Sequence, residues 1–115
     1  WTRCIEPDDV LLFRFSALTF NGHRIHYDRQ YATREEGYPG LVVHGPLIAM
    51  LLLDSLRNEM DDPDLASFQF RAVRPTFDIN NFFVSGQREA DGKTIHLWAQ
   101  DHDGYLTMDA TAVLR

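Results

Sequence analysis

Several things are scarce in this chain of 115 residues, and each scarcity closes off a class of protein. There is one cysteine, Cys4, so no disulfide forms within the chain, and a reducing, cytoplasmic setting is expected. No histidine adjoins Cys4, so it reads as a bland residue and not as a thiol nucleophile. No apolar run approaches the roughly 20 residues that a helical membrane span needs; the longest, Pro46 to Leu53, is far too short. Basic charge is also short: eleven Lys and Arg against seventeen Asp and Glu leave a net charge of −6, with no basic cluster. A nucleic-acid surface is therefore not expected. The first residues lack the basic and apolar regions of a signal peptide. The chain starts at Trp1 without Met, which points to a processed or trimmed piece of something longer. Internal repeats and low-complexity linkers are absent, and 44% of the residues are apolar, enough for a real core. One domain over residues 1–115 is expected.

The two halves differ in period. Residues 1–60 read as loops and helices. In EPDDVLLFRFSALT, Pro7, Asp8 and Asp9 suit a first helical turn, and apolar residues follow through Ala17. YDRQYATREEGYPG reads as a short helix from about Asp28, closed by Gly37 and Pro39. HGPLIAMLLLDSLRNEM is the clearest helix, with Gly45 as N-cap and Pro46 as first residue. Its first two turns are apolar nearly all round, so it is expected to be buried. From residue 65 onward the pattern alternates. Phe68, Phe70 and Ala72 oppose Gln69 and Arg71; Ile95, Leu97 and Ala99 oppose Thr94, His96 and Trp98; Leu106 through Leu114 continue the same period. Asp91-Gly92 and Asp103-Gly104 sit at the joints, as two-residue hairpin turns prefer. An α+β architecture follows: an antiparallel meander of three or four strands wrapped around one apolar helix, the arrangement of a hot-dog fold.

The densest chemistry lies in FNGHRIHYD, Phe20 to Asp28, which places Asn21, His23, Arg24, His26 and Asp28 together. A further histidine, His44, stands where the apolar helix begins. This order of elements resembles the MaoC-like hydratases and dehydratases. Their motif has the sense Asp-x-Asn-Pro-Ile-His followed by an Asp and an Ala; the matching run is Asn21-Gly22-His23-Arg24-Ile25-His26, then Asp28 and Ala32. The string LFRFSALTFNGHRIHYDRQYA...EGYPGLVVHGPL is similar to the branch with mesaconyl-type CoA hydratases and mitochondrial 3-hydroxyacyl-thioester dehydratases, closely from Leu12 to Leu47.

That resemblance implies addition of water to the Cα–Cβ double bond of an enoyl thioester, or its reversal, with coenzyme A entering only as part of the substrate and no separate cofactor. It implies His26 as acid and base, a task suited to an imidazole near neutral pH. Without the resemblance, His26 reads as a buried histidine satisfied by backbone groups. The family's catalytic aspartate falls on Asn21, which cannot exchange a proton as a carboxylate does but can hold water or the β-hydroxyl by hydrogen bonds. The helix start offers free N–H groups and a positive dipole end, and the Gly45 N–H is the expected oxyanion donor. Gly45 and Pro46 also make sense as a plain helix start. Arg24, His44 and Tyr38 are grouped as substrate-binding. Arg24 is equally placed to pair with Asp28, and His44 reads equally as a structural histidine. His23 shapes the motif loop, Arg71 and Arg74 are weaker phosphate candidates, and His96 and His102 read as solvated.

Other readings stay open at this point. His23, His26 and Asp28 have ligand types that suit zinc, but no Cys or Glu completes a set, so no metal is assigned. A thioesterase would want a carboxylate on the helix, where Asp54 is the candidate. A non-catalytic partner domain fits Asn21 in place of Asp. Pairing with an identical chain or with a second hot-dog domain is expected, through an exposed sheet edge. The acidic charge disfavours an acidic carrier protein and so favours coenzyme A.

Overall fold

The computed structural model describes residues 1–115. The clearest expectation holds: α2, Gly45–Glu59, packs its buried face of Leu47, Ile48, Ala49, Leu52 and Leu56 against one five-stranded antiparallel sheet. The strands are β1 (Thr2–Ile5), β2 (Leu65–Ala72), β3 (Phe82–Arg88), β4 (Thr94–Gln100) and β5 (Leu106–Leu114), in spatial order β1-β3-β4-β5-β2. Central β4 alternates as its sequence does, with Ile95, Leu97 and Ala99 fully buried against α2.

α2 departs from expectation in two ways. Its N-cap is His44 and not Gly45, which becomes the first helical residue with Pro46 second. It is also not covered all round: Pro46, Met50, Asp54 and Arg57 form an exposed stripe at steps of four, four and three residues, with Met50 58% exposed. The sheet wraps one side of the helix only.

The N-terminal half holds a strand that its pattern does not announce. β1 has four residues, mostly exposed, and exists because Thr2 to Ile5 pair with Ser85 to Phe82 of β3. Gly86 makes room for this: a Cβ there would run into the Trp1 ring, whose Nε1 donates to Ser55 Oγ of α2 at 3.2 Å. Helix α1, Asp9–Leu18, is capped by Asp8, whose carboxylate accepts the Leu11 N–H at 2.7 Å, so Pro7 and Asp8 stand outside it. A 3₁₀ turn follows at Arg24–His26. The short helix expected from Asp28 begins at Arg29, and its last turn, Tyr31–Glu35, has π geometry.

Two features of the meander differ from their sequence pattern. β2 is an edge strand paired only to β5, so Phe70 is exposed and only Leu65 and Phe68 are half-buried. The connections after β3 and β4 are longer than two residues: Gly92 (φ 72°) and Gly104 (φ 87°) take the left-handed positions. Asp91 and Asp101 accept backbone N–H bonds across these loops, from Lys93 and Thr94 and from Asp103 and Tyr105. A slip in register at Ala99/Gln100 also leaves Leu106 exposed and buries Thr107. No helix is long and apolar enough to cross a membrane.

Candidate active site

His26 closes the 3₁₀ turn and is buried. Its Nδ1 lies 2.6 Å from the carbonyl oxygen of Val42. A carbonyl only accepts, so Nδ1 carries the proton and Nε2 keeps a lone pair. Nε2 has no partner within the chain and is not sealed from solvent. Burial lowers the His26 pKa below the usual 6.5; the bond to Val42 opposes that shift, and His23 adds to it. The ring is therefore neutral near pH 7, with an available basic nitrogen.

The Val42 carbonyl is itself held from several sides. The Val42 N–H donates to Ile25 O at 2.9 Å, and Val42 forms a lone bridge with Phe77. On either side, Leu41 donates to the Asp78 carboxylate at 2.9 Å and Val43 to Thr76 O at 2.8 Å. Asp78 is gripped by Arg29 at 2.6 and 3.1 Å. Gly40 allows this close approach, since a Cβ there would stand 2.7 Å from Ile79 and 2.8 Å from Asp78.

His44 stacks on His26 with ring centroids 3.8 Å apart and planes 16° from parallel. It is buried, 1% exposed; its Nε2 is 2.7 Å from Ser16 Oγ, and its Nδ1 is sealed without a partner. A second proton would have nowhere to bond. Burial, and then the neighbouring His26, lower its pKa to about 4. Next in chain is Gly45, whose N–H is one of the unpaired donors at the start of α2. Gly45 lines a cleft with Val42, Thr76, Thr107 and Met108, of about 330 Å³. A Cβ at Gly45 would meet only Met108 Cε, at 3.9 Å, so packing inside the chain does not demand glycine there.

Asn21 lines a second cleft with Phe13, Ser16, Phe20 and Tyr27. Its Oδ1 accepts the His23 N–H at 3.1 Å, which makes it the pin of the motif loop. Ser16 joins the halves: it lines this cleft and bonds His44. The other candidates lie elsewhere. Arg24 pairs with Asp28 at 2.8 Å and lies over the Tyr31 ring, on an exposed surface. Tyr38 packs against Phe77 at 5.6 Å. Arg74 lines the Gly45 cleft and lies over Tyr105, whereas exposed Arg71 pairs in register with Asp109. His96, expected to be solvated, is half-exposed and sits 2.6 Å from Asp109. Asp54 faces solvent on the open side of α2, 3.9 Å from Arg3, so it offers no carboxylate to the site. His23, His26 and Asp28, whose residue types suit zinc, do not bring three ligand atoms together, and Asp28 is paired with Arg24.

The sequence model described as hydroxyacyl-thioester dehydratase type 2 matches residues 1–78. The chain belongs to this family. It is 52% identical over 113 residues, 98% of its length, to a mesaconyl-C(4)-CoA hydratase of Chloroflexus aurantiacus. It spans well under half of the curated relatives it matches, 39% of that one. Among solved structures, an (R)-hydratase from A. caviae involved in PHA biosynthesis superposes with a TM-score of 0.85 at 17% identity, covering 100% of this chain and 92% of that one. The ChsH1–ChsH2 complex from Mycobacterium tuberculosis gives 0.78 at 16% identity, covering 100% and 94%. These two likenesses establish the hot-dog fold of this domain.

Two parts of the site escape sequence reasoning. The Val42 carbonyl is backbone and carries no residue signal. Ser16 leaves a faint one, a lone polar residue four after Leu12 on the buried face of α1.

The His44 geometry makes stability depend on pH. Its folded pKa is depressed, so unfolding takes up a proton between about pH 6.5 and about 4. Stability is fully present above pH 6.5 and falls as pH drops through that window. Urea unfolding from pH 7.5 to 4.5 should show this slope in the wild type and a shallower one in His44→Gln; equal slopes would contradict it.

Proposed function

We propose that this domain hydrates enoyl-CoA thioesters, or dehydrates 3-hydroxyacyl-CoA thioesters, with His26 as the single acid–base group and the Gly45 N–H as oxyanion donor. The observation that carries the reading is the fixed tautomer of His26, which leaves Nε2 without a partner on a ring stacked against His44, the residue that caps α2. In the hydration direction, Nε2 takes a proton from water as the oxygen bonds to Cβ. Electrons move to the thioester oxygen, where the Gly45 N–H meets the developing charge. The imidazolium then returns that proton to Cα. One proton leaves water and one reaches carbon, so the ring ends as it began. Neutral His44, stacked on His26, cannot add a competing charge. Asn21 positions the water or the β-hydroxyl and exchanges no proton. Arg24 and Tyr38 belong to the more distant substrate surface in this reading.

The name of the Chloroflexus aurantiacus relative supports coenzyme A as the carrier. Pairing with a second hot-dog domain, identical or not, is proposed on the exposed edge strand β2 and the uncovered stripe of α2; the ChsH1–ChsH2 neighbour is itself a complex of two proteins. A cytoplasmic setting is proposed from the single exposed Cys4. One observation favours a second reading, a domain that only completes a partner's site: Asn21 stands where the family pattern has a carboxylate, and its oxygen is occupied by His23.

Loss of enoyl-thioester absorbance with crotonyl-CoA separates these readings. His26→Ala should lower kcat roughly 10³-fold while the fold survives. The wild-type rate should fall only as the pH drops through a pKa below 6.5, the side on which His26 becomes protonated. Gly45→Ala should fold at least as stably, since its Cβ has room, yet lose roughly tenfold or more in kcat as the methyl crowds the oxyanion position. Full activity in His26→Ala would refute the proposal.

A further inference from the structure

The two clefts give a bound thioester a direction. The Gly45 cleft takes the thioester carbonyl. His26 lines neither cleft but connects them: it bonds Val42 of one and stacks on His44, which bonds Ser16 of the other. With Cβ beside Asn21, the acyl tail beyond Cβ has the Asn21 cleft before it. This step rests on the hydratase reading above.

That cleft holds about 310 Å³, the low end of ligand pockets, and its walls are Phe13, Phe20, Tyr27 and Ala17 with Ser16 and Asn21. No charged side chain lines it, so a tail ending in a carboxylate would find no partner there.

Phe20 is the conspicuous member. It ends α1 in the left-handed conformation, φ 54°, at the position after the helix where glycine is usual. The Asn21 N–H bonds Ser16 O at 2.9 Å and the Phe20 N–H bonds Ala17 O at 3.4 Å, so the strained turn is firmly built. Phe20 as a whole is 96% exposed, and Phe13 beside the same cleft is 59% exposed. Backbone strain and an exposed apolar side chain are both unfavourable; the two backbone bonds hold the turn, but almost none of the side chain is buried within the chain.

We propose that Phe20 is a specificity-determining residue: its ring covers an uncharged aliphatic acyl tail lying in the Asn21 cleft. The strained turn exists to hold the ring there.

The test uses saturated thioesters, which bind without turnover, so it stands apart from catalysis. Calorimetric binding of octanoyl-CoA and butyryl-CoA is compared in wild type, Phe20→Gly and Phe20→Tyr. The wild type should prefer octanoyl-CoA. The preference should fall roughly tenfold in Phe20→Gly and be retained in Phe20→Tyr. Phe20→Gly should also melt roughly 4 °C higher, because glycine relieves the turn; a purely structural phenylalanine would give lower stability. Equal binding of the two thioesters by wild type, or an unchanged preference in Phe20→Gly, overturns the proposal. So does a change in self-association, measured by sedimentation, in place of a change in preference: the ring would then meet a second copy of the chain. Failure of crotonyl-CoA turnover in the wild type strikes the hydratase reading instead, and the octanoyl preference then still decides whether the cleft takes an acyl tail.

Discussion

The hydrogen bond from His26 Nδ1 to the Val42 carbonyl is the constraint on which the site depends. An imidazole can work as a base only through the nitrogen that lacks the proton, and this bond chooses which nitrogen that is. Much of the architecture around it keeps the carbonyl still. The segment 41–43 is bonded to Ile25 on one side and to residues 76–78 on the other, with the Arg29–Asp78 pair closing the circuit. That ion pair is exposed on its arginine side but 4% exposed at Asp78, where the carboxylate also accepts the Leu41 N–H. Removing Asp78 would leave Arg29 and the Leu41 N–H without their acceptor.

The fold contributes the other half. α2 is pinned by burial of Leu47, Ile48, Leu52 and Leu56 against the sheet, and its first turn delivers His44 and Gly45 together. The same step that starts the helix therefore sets a neutral ring against His26 and leaves an unpaired N–H beside it. Helix start and proposed oxyanion donor would be one feature with two consequences, so the plain and the functional readings of Gly45 do not compete.

Legibility in the sequence followed the physics of each element. β4 was plain because its period matches its burial on one face; α2 was plain as a helix, but first turns apolar nearly all round hid the side that stays open. β1 was hidden because four exposed residues carry no pattern of their own, and only pairing with β3 makes them a strand. β2 misled because its apolar alternation belongs to an edge whose faces this chain leaves open, as it leaves the Met50 stripe of α2. At the site, His26 and His44 were visible as residues and meet as a stacked pair, whereas Arg24 was drawn away by Asp28 four residues on. The Val42 carbonyl was unreadable in principle, since any residue would supply it.

The most direct measurement of the central claim is the nitrogen chemical shifts of the His26 ring by NMR, followed with pH. The ring is expected as the tautomer protonated at Nδ1 near pH 7, with Nε2 taking up its proton only below pH 6.5. A ring protonated at Nε2, or one that becomes cationic above pH 6.5, would contradict it.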